Sequence, residues 1–349
     1  MAKQELPRLG ITLGDPAGIG PEVALKALAD PQVRGIARFA VFGPSAETWA
    51  DLAGAAPEFL FGRCALPEWD GKVEGVHLVV VPGADAESRR AGTERGRATA
   101  AGGEASIRML LAAIEAARAG RLDGLVTAPI SKEAIHLAGY PWPGHTELLA
   151  EKFGAREVAM MFAGGPFRVV LVTIHLALVE AIRALNVKLI VGKMRLASNA
   201  LKRCFGLEVP RLGVLGLNPH AGEAGRFGHE EREIIGPAIE EAKAAGLCAF
   251  GPLAPDTAFL QAMQGKFDCL VALYHDQGLI ALKTVAFDSS VNITLGLPIV
   301  RTSPDHGTAY DIAGRGEANP ESMKQAIRLA AEMLRRSRKP DAAPRAGTP

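Results

Sequence analysis

Short runs of β-branched residues alternate along this 349-residue chain with longer stretches rich in alanine, leucine, glutamate and lysine. Strands are predicted in eight runs: 9–14, 39–43, 76–81, 124–129, 167–175, 211–218, 268–275 and 291–296. Helices are predicted in seven stretches: 21–30, 97–119, 145–153, 187–204, 230–245, 256–264 and 320–336. A strand followed by a helix, many times repeated, predicts an α/β fold with helices layered on largely parallel sheets.

The composition argues against several classes of protein. Hydrophobic residues make up 48% of the chain and charged residues 22%, an ordinary globular balance. The formal charge of +1 gives no reason to expect nucleic acid or an anionic membrane as a partner, so any affinity for an anion must come from a local site. No apolar run approaches the roughly 18 residues of a membrane span, and the first residues do not resemble a secretory signal.

The cysteines indicate the compartment. They are widely separated and form no CxxC pair, which is typical of thiols in a reducing environment: Cys64, Cys204, Cys248 and Cys269. We therefore expect a cytoplasmic protein.

Three histidines close predicted strands: His175, His220 and His275. Their separations are too long for a zinc finger, but three strands could deliver one imidazole each to a shared crevice. Three neutral imidazoles leave a divalent metal with open positions, as in catalytic sites. The alternative is that each is a hydrogen-bonded histidine at a strand end, and the spacing alone does not decide between the two.

Two further segments could bind an anion. His145 and Thr146 in PGHTE precede a predicted helix, where Thr146 could instead be a plain helix cap. Lys283 and Arg301 flank an apolar, strand-like stretch that contains Asn292, and together they could clamp an anionic substrate. The alternative for these charges is that they are solvated at the edges of elements.

Two glycine-containing segments complete the pattern. GDPAGIGPE (14–22) follows a strand and opens a helix, so it is either an anion site or a structural turn. SPDHGTAYDIAGRGEANP (303–320) could follow the outline of an adenine and a ribose, with polar contacts from His306 and Asp311. Neither segment matches GxGxxG or a P-loop.

Taken in order, these segments resemble the 4-hydroxythreonine-4-phosphate dehydrogenase family of pyridoxal 5'-phosphate biosynthesis. The resemblance covers about nine-tenths of the chain, from GDPAGIGPE to DIAGRGEANP, and rests on TAPISK, GHTE, TIHLAL, NPHAGE, GPLAPDTAF, YHDQG and VNITLGLPIVRTSPDHGTAYDIAG. The family is similar to isopropylmalate and isocitrate dehydrogenases. The resemblance implies two α/β/α domains flanking a cleft, without a GxGxxG Rossmann domain.

The resemblance also implies roles for individual residues. The metal ligands would be His175, His220 and His275, drawn from both subunits of a homodimer. Substrate contacts would come from five residues: His145, Thr146, Lys283, Asn292 and Arg301. Lys283 is the expected proton-transfer residue, and Asp256 is a further catalytic candidate. The cofactor loop would use His306, Gly307 and Asp311.

The implied reaction is oxidation of 4-phosphohydroxy-L-threonine at its 3-hydroxyl with NAD or NADP and one divalent metal ion (zinc, magnesium or cobalt). Loss of carbon dioxide would then give 3-amino-2-oxopropyl phosphate. Two alternatives stay within the family: a four-carbon sugar-acid phosphate or a cis-dihydrodiol dicarboxylate as substrate. A metal-dependent hydrolase is a third alternative, against which the DIAG loop argues.

The domain boundaries are also predicted. Residues 1–130 and 290–337 are expected to form the domain that carries the cofactor loop. Residues 131–289 would form the domain with the metal ligands and the dimer contacts, and 338–349 would be a disordered tail.

Overall fold

A computed structural model of the chain describes residues 5–64, 69–72 and 74–338, so the predicted tail lies outside the described residues except for Arg338. One sheet contains the strands of these ranges: β1 (Arg8–Thr12), β2 (Arg38–Gly43), β3 (Leu60–Cys64), β4 (Val76–Val80), β5 (Gly124–Thr127), β6 (Ala159–Gly164), β7 (Phe167–Leu171), β8 (Arg211–Leu215), β9 (Cys248–Leu253), β10 (Cys269–Ala272), β11 (Val291–Leu295) and β12 (Val300–Pro304).

The helices of the same ranges are α1 (Gly20–Ala29), α2 (Pro31–Arg34), α3 (Ala46–Ala53), α4 (Ala84–Thr93), α5 (Ala100–Arg118), α6 (Lys132–Leu137), α7 (His145–Phe153), α8 (Leu178–Ala184), α9 (Val187–Phe205), α10 (Gly236–Ala244), α11 (Pro255–Met263), α12 (His275–Ala286) and α13 (Glu321–Ser337). A seven-residue turn, Pro219–Gly225, and a π-helical turn, Glu231–Ile235, precede α10. None of the helices in the described ranges is both long and apolar enough to cross a bilayer.

All eight predicted strands are present, which confirms the α/β prediction, but four strands and several helices were not predicted. Among the helices that were not predicted, α12 matters most for the site because it carries Lys283. Its buried residues, Leu279, Leu282 and Ala286, are spaced three and four apart, while Ile280 is 68% exposed. That period belongs to a helix with one face on the core.

The sheet order is β3-β4-β2-β1-β5-β12-β11-β6-β7-β10-β8-β9. The strands from β3 to β12 are parallel, and so are the four from β7 to β9. Between them, β12, β11, β6 and β7 pair antiparallel, and these three reversals make the two parallel groups run in opposite directions. The largely parallel sheet that was predicted therefore consists of two opposed halves.

Both faces of the sheet are covered. In β7, Phe167, Val169 and Leu171 enter one apolar core, and Val170 enters the other. Alternate side chains of a strand point to opposite faces, so this half of the sheet lies between two cores. The cysteines with described side chains are free thiols: Cys269 is buried, whereas Cys204 and Cys248 are partly exposed.

Candidate active site

A cavity of about 350 Å³ lies over the central strands of the sheet. It is lined by residues from both halves: Thr127, Pro129, Ile130, Lys132, Gly144, His145, Thr146, Glu147, Met160, Phe162, His175, His275, Leu279, Lys283, Asn292, Arg301, Ser303, Pro304, Asp305, His306 and Gly307. Of the predicted site residues, only His220, Asp256 and Asp311 are not among them.

Strand register explains the floor of this cavity. Asn292 in β11 pairs with Ser303 in β12 on one side and with Phe162 in β6 on the other. Residues paired across strands share a face of the sheet, and Arg301, two positions before Ser303, shares it as well. One face of three neighbouring strands therefore presents an amide, a hydroxyl, a guanidinium and an apolar ring to the same space.

The walls of the cavity are formed by loops that follow strands in both halves of the sheet. Lys132 lies at the start of α6, after β5, and His175 follows β7. Nζ of Lys132 is 3.5 Å from Nδ1 of His175. Loops from the two opposed halves therefore converge over the central strands, although the carboxyl ends of their strands do not share one edge of the sheet.

Arg301 is the deepest charge in the cavity, with 2% of its surface exposed. It donates to Oγ1 of Thr294 at 3.0 Å and to Oγ1 of Thr127 at 2.6 Å, and its Nε has no partner in the described part of the chain. Burial lowers the pKa of Arg301 to about 9, so the side chain is still a cation at neutral pH. A buried cation held by neutral hydroxyls favours an anionic ligand.

His145 and Thr146 begin α7 and complete this pocket. Thr146 is 3% exposed and its hydroxyl makes no cap hydrogen bond, so the alternative of a plain helix cap is wrong for this residue. Burial, with Arg301 nearby, holds the pKa of His145 well below its usual range, which makes it a neutral imidazole. Like Arg301, both have a buried polar atom without a partner among the described residues, and so does Asn292.

His175 and His275 form the predicted metal-binding part of the cavity. Their ring centroids lie 6.1 Å apart. Burial, reinforced by the charge of Lys132, lowers the pKa of His175, and Nδ1 of His275 lies 2.6 Å from Oδ1 of Asp276. A carboxylate on one ring nitrogen leaves the other free to bind a metal, so this donor set fits a divalent cation.

His220 lies apart from these two histidines. Its side chain is 65% exposed, and its Nδ1 lies 3.6 Å from Oδ2 of Asp256, which is also exposed. Within the described ranges, no three His, Cys, Asp or Glu side chains come close enough to hold a metal ion. Within one chain, His220 therefore does not share the cavity with His175 and His275, although the strands that precede His220 and His275, β8 and β10, are neighbours.

Lys283 projects from α12 toward Asp305, a residue that the sequence analysis missed. The lysine Nζ lies 3.3 Å from the Asp305 carbonyl oxygen and 3.7 Å from its Oδ1. The hydroxyl of Ser290 donates to Oδ2 of Asp305 at 2.8 Å, and burial raises the pKa of this carboxyl. Lys132 and Glu147 were also missed, although TAPISK and GHTE had drawn attention to their segments.

The predicted cofactor loop borders the cavity through His306 and Gly307, and Nε2 of His306 is another buried atom without a partner among the described residues. Asp311 lies further along the loop and is exposed. The loop packs on the turn after β1, where Tyr310 donates to Oδ2 of Asp15 at 2.6 Å and Ile19 donates its N–H to the Thr308 carbonyl. Of the two interpretations of GDPAGIGPE, an anion site or a structural turn, these contacts favour the structural turn.

These features define an α/β enzyme with a cationic cavity for a small anionic substrate and two imidazoles placed for a metal. The chain matches the family model "Pyridoxal phosphate biosynthetic protein PdxA" over residues 56–330. It belongs to the PdxA family, which confirms the resemblance seen in the sequence.

Named relatives are similar over nearly their whole length. The chain is 48% identical to a 4-hydroxythreonine-4-phosphate dehydrogenase of Geobacter metallireducens, with 94% of this chain and 96% of the relative covered. It is 42% identical to a D-threonate 4-phosphate dehydrogenase of Cupriavidus necator, with coverage of 95% and 98%. The crystal structure of the Klebsiella pneumoniae 4-hydroxythreonine-4-phosphate dehydrogenase is 36% identical, covers 96% of this chain and 100% of that one, and superposes with a TM-score of 0.82.

Proposed function

We propose that this protein oxidises 4-phosphohydroxy-L-threonine at its 3-hydroxyl and releases carbon dioxide and 3-amino-2-oxopropyl phosphate, in the cytoplasm. The observation that carries the proposal is the cavity itself, where buried polar atoms of His145, Thr146, Asn292 and Arg301 have no partner in the described chain. Buried polar groups without partners are costly, so such a group of atoms favours a polar ligand that satisfies them. The names of the relatives supply the substrate.

The residues that line the cavity have different roles in the proposed reaction. Arg301, His145 and Thr146 bind an anionic end of the substrate in the deepest part of the cavity. Lys283, held by Asp305, transfers the proton at the 3-hydroxyl oxygen. His175 and His275 hold a zinc, magnesium or cobalt ion, and His306 and Gly307 border the nicotinamide cofactor, NAD or NADP. When bound, the metal supplies a Lewis acid and the cofactor a hydride acceptor.

The third metal ligand, His220, would come from a second copy of the chain. Within one chain it is exposed and pairs with Asp256 outside the cavity, and this location supports a donation across a homodimer interface. Large apolar side chains are exposed on α8 and α12, the helices next to the other two histidines: Leu178, Val179, Ile280 and Val285. Exposed apolar patches of this kind mark protein interfaces.

D-Threonate 4-phosphate is the second candidate substrate, because a relative that is 42% identical is named for it. The test is an absorbance assay for reduced cofactor with purified protein, each of the three metals, and NAD or NADP. Turnover of 4-phosphohydroxy-L-threonine with the higher kcat/KM is the expected result. A higher kcat/KM for D-threonate 4-phosphate would assign the second function, and no turnover of either substrate would overturn both.

A further inference from the structure

The turn that carries His220 has a rare backbone conformation. His220, Ala221, Gly222, Glu223 and Ala224 all have positive φ, from 40° to 80°. Residues with a Cβ avoid this left-handed region, and a run of them persists only where the surrounding structure holds it. Something outside the turn must therefore fix it.

Glu231, in the π-helical turn that follows, holds this segment. Its side chain is 8% exposed. Oε1 accepts the backbone N–H groups of Leu217 at 2.8 Å and Asn218 at 2.7 Å, and Oε2 accepts the Asn218 side-chain amide at 2.9 Å. Hydrogen bonds to a buried carboxylate are among the stronger ones in proteins, so this residue fixes the two positions before Pro219.

The turn itself closes over the same carboxylate. A Cβ built on Gly222 would lie 2.7 Å from Oε2 of Glu231, closer than atoms can approach, and φ at this glycine is +80°. Only glycine fits at this point of contact. Gly225 offers a comparison, since its φ is +94° but a Cβ there would meet nothing closer than Nδ1 of His229 at 3.8 Å.

We propose that Glu231 is a positioning residue for His220. It does not line the cavity, and it acts by holding the left-handed turn that directs the imidazole outward beside Asp256. The proposal rests on the proposed function, in which His220 is a metal ligand. Partners of this kind that orient a ligand typically contribute about 10- to 100-fold to metal affinity.

The test is a Zn²⁺ titration of the metal-free full-length protein against a chelating dye, with the solution mass measured in parallel. Glu231→Ala is expected to weaken Zn²⁺ binding by about 10- to 100-fold, and His220→Ala, which removes the ligand itself, by at least as much. Glu231→Gln keeps one acceptor oxygen for the two backbone N–H groups, so it should regain part of the loss. Glu233→Gln, an exposed residue on the same π-helical turn, is the matched control and should bind like the wild type.

Gly222→Ala disturbs the same contact from the other side, so it tests the proposal even if Glu231→Ala fails to fold. It should weaken Zn²⁺ binding more than Gly225→Ala, which shares the positive φ but not the contact. If His220→Ala binds Zn²⁺ normally, the ligand assignment of the proposed function fails. If His220→Ala loses binding while Glu231→Ala and Gly222→Ala keep it, the positioning role is overturned.

Discussion

At the scale of single residues, the cavity combines a buried cation with a neutral imidazole. Arg301 is held by two threonine hydroxyls, and Nε2 of His145 lacks a partner among the described residues. This arrangement leaves the positive charge of Arg301 available to the ligand.

Arg301→Ala is expected to raise KM by roughly 30- to 900-fold, the equivalent of about 2–4 kcal/mol for a lost charge-assisted pair in a buried site. The measurement is steady-state kinetics, with circular dichroism to show that the variant folds. Arg195→Ala is the matched control, because that arginine is 56% exposed and pairs with Glu157 on the surface. An unchanged KM in the Arg301 variant would locate the anion site elsewhere.

The pKa of His145 predicts how stability depends on pH. Because this pKa is well below its usual range in the folded state, the unfolded chain binds a proton that the folded chain does not, starting near pH 6.5. The free energy of unfolding should therefore fall as the pH drops from 7.5 to 5.5, with a contribution from this group of up to about 1.4 kcal/mol per pH unit.

Urea unfolding of the metal-free protein at three pH values measures this slope. His145→Gln removes the titrating group and should flatten the slope, whereas His229→Gln, at an exposed position, should leave it as in the wild type. A slope that is equally steep in His145→Gln would contradict the prediction.

At the scale of elements, one side chain ties together the two strands that precede His220 and His275. Gln277, in the first turn of α12, donates to the Gly216 carbonyl after β8 and accepts the N–H of Leu273 after β10, both at 2.7 Å. The amide thus fixes the distance between two neighbouring strand ends. The YHDQ segment supplies both His275, a proposed metal ligand, and this link.

Gln277→Leu should lower the free energy of unfolding by about 1–3 kcal/mol, because it leaves a partly buried donor and acceptor without partners. Chemical denaturation measures the change. Gln261→Leu on α11 replaces a glutamine whose hydrogen bond to Lys266 is exposed, so it should stay within about 0.5 kcal/mol of the wild type. Equal stability of the two variants would show that the link carries no energy.

At the scale of the whole molecule, the site needs two copies of the chain if His220 is its third metal ligand. His175 and His275 line the same cavity of one chain, and His220 does not. Each site would then take His175 and His275 from one chain and His220 from the other. In a heterodimer of a His220→Ala chain and a His275→Ala chain, one site therefore contains neither substitution and the other contains both. Half of randomly mixed dimers are heterodimers, so about a quarter of wild-type activity should return.

Co-refolding and an activity assay test this arrangement. The control is His175→Ala mixed with His275→Ala, which should stay inactive because every site keeps one lesion. Activity in the control and none in the first mixture would contradict the assignment. So would a solution mass of a single 36.7 kDa chain under assay conditions.

The predictions from sequence succeeded where the signal is local. Eight strands followed from their β-branched runs, and α7 was predicted with the bounds that it has. The four missed strands lack such runs; β12, for example, reads VRTSP. Helix α12 was not predicted, although its buried residues Leu279, Leu282 and Ala286 have a helical spacing.

The α/β class, the family and nine of the residues that line the cavity could be predicted from the sequence, because periodicity and motif chemistry are properties of neighbouring residues. Tertiary structure decided how those residues are grouped. The three sheet reversals oppose the two parallel halves, and loops from both halves bring Lys132 to His175 over the central strands. Tertiary structure also left His220 outside the cavity that contains His175 and His275, because the left-handed turn Pro219–Gly225 depends on contacts with residues outside it, which no local pattern encodes.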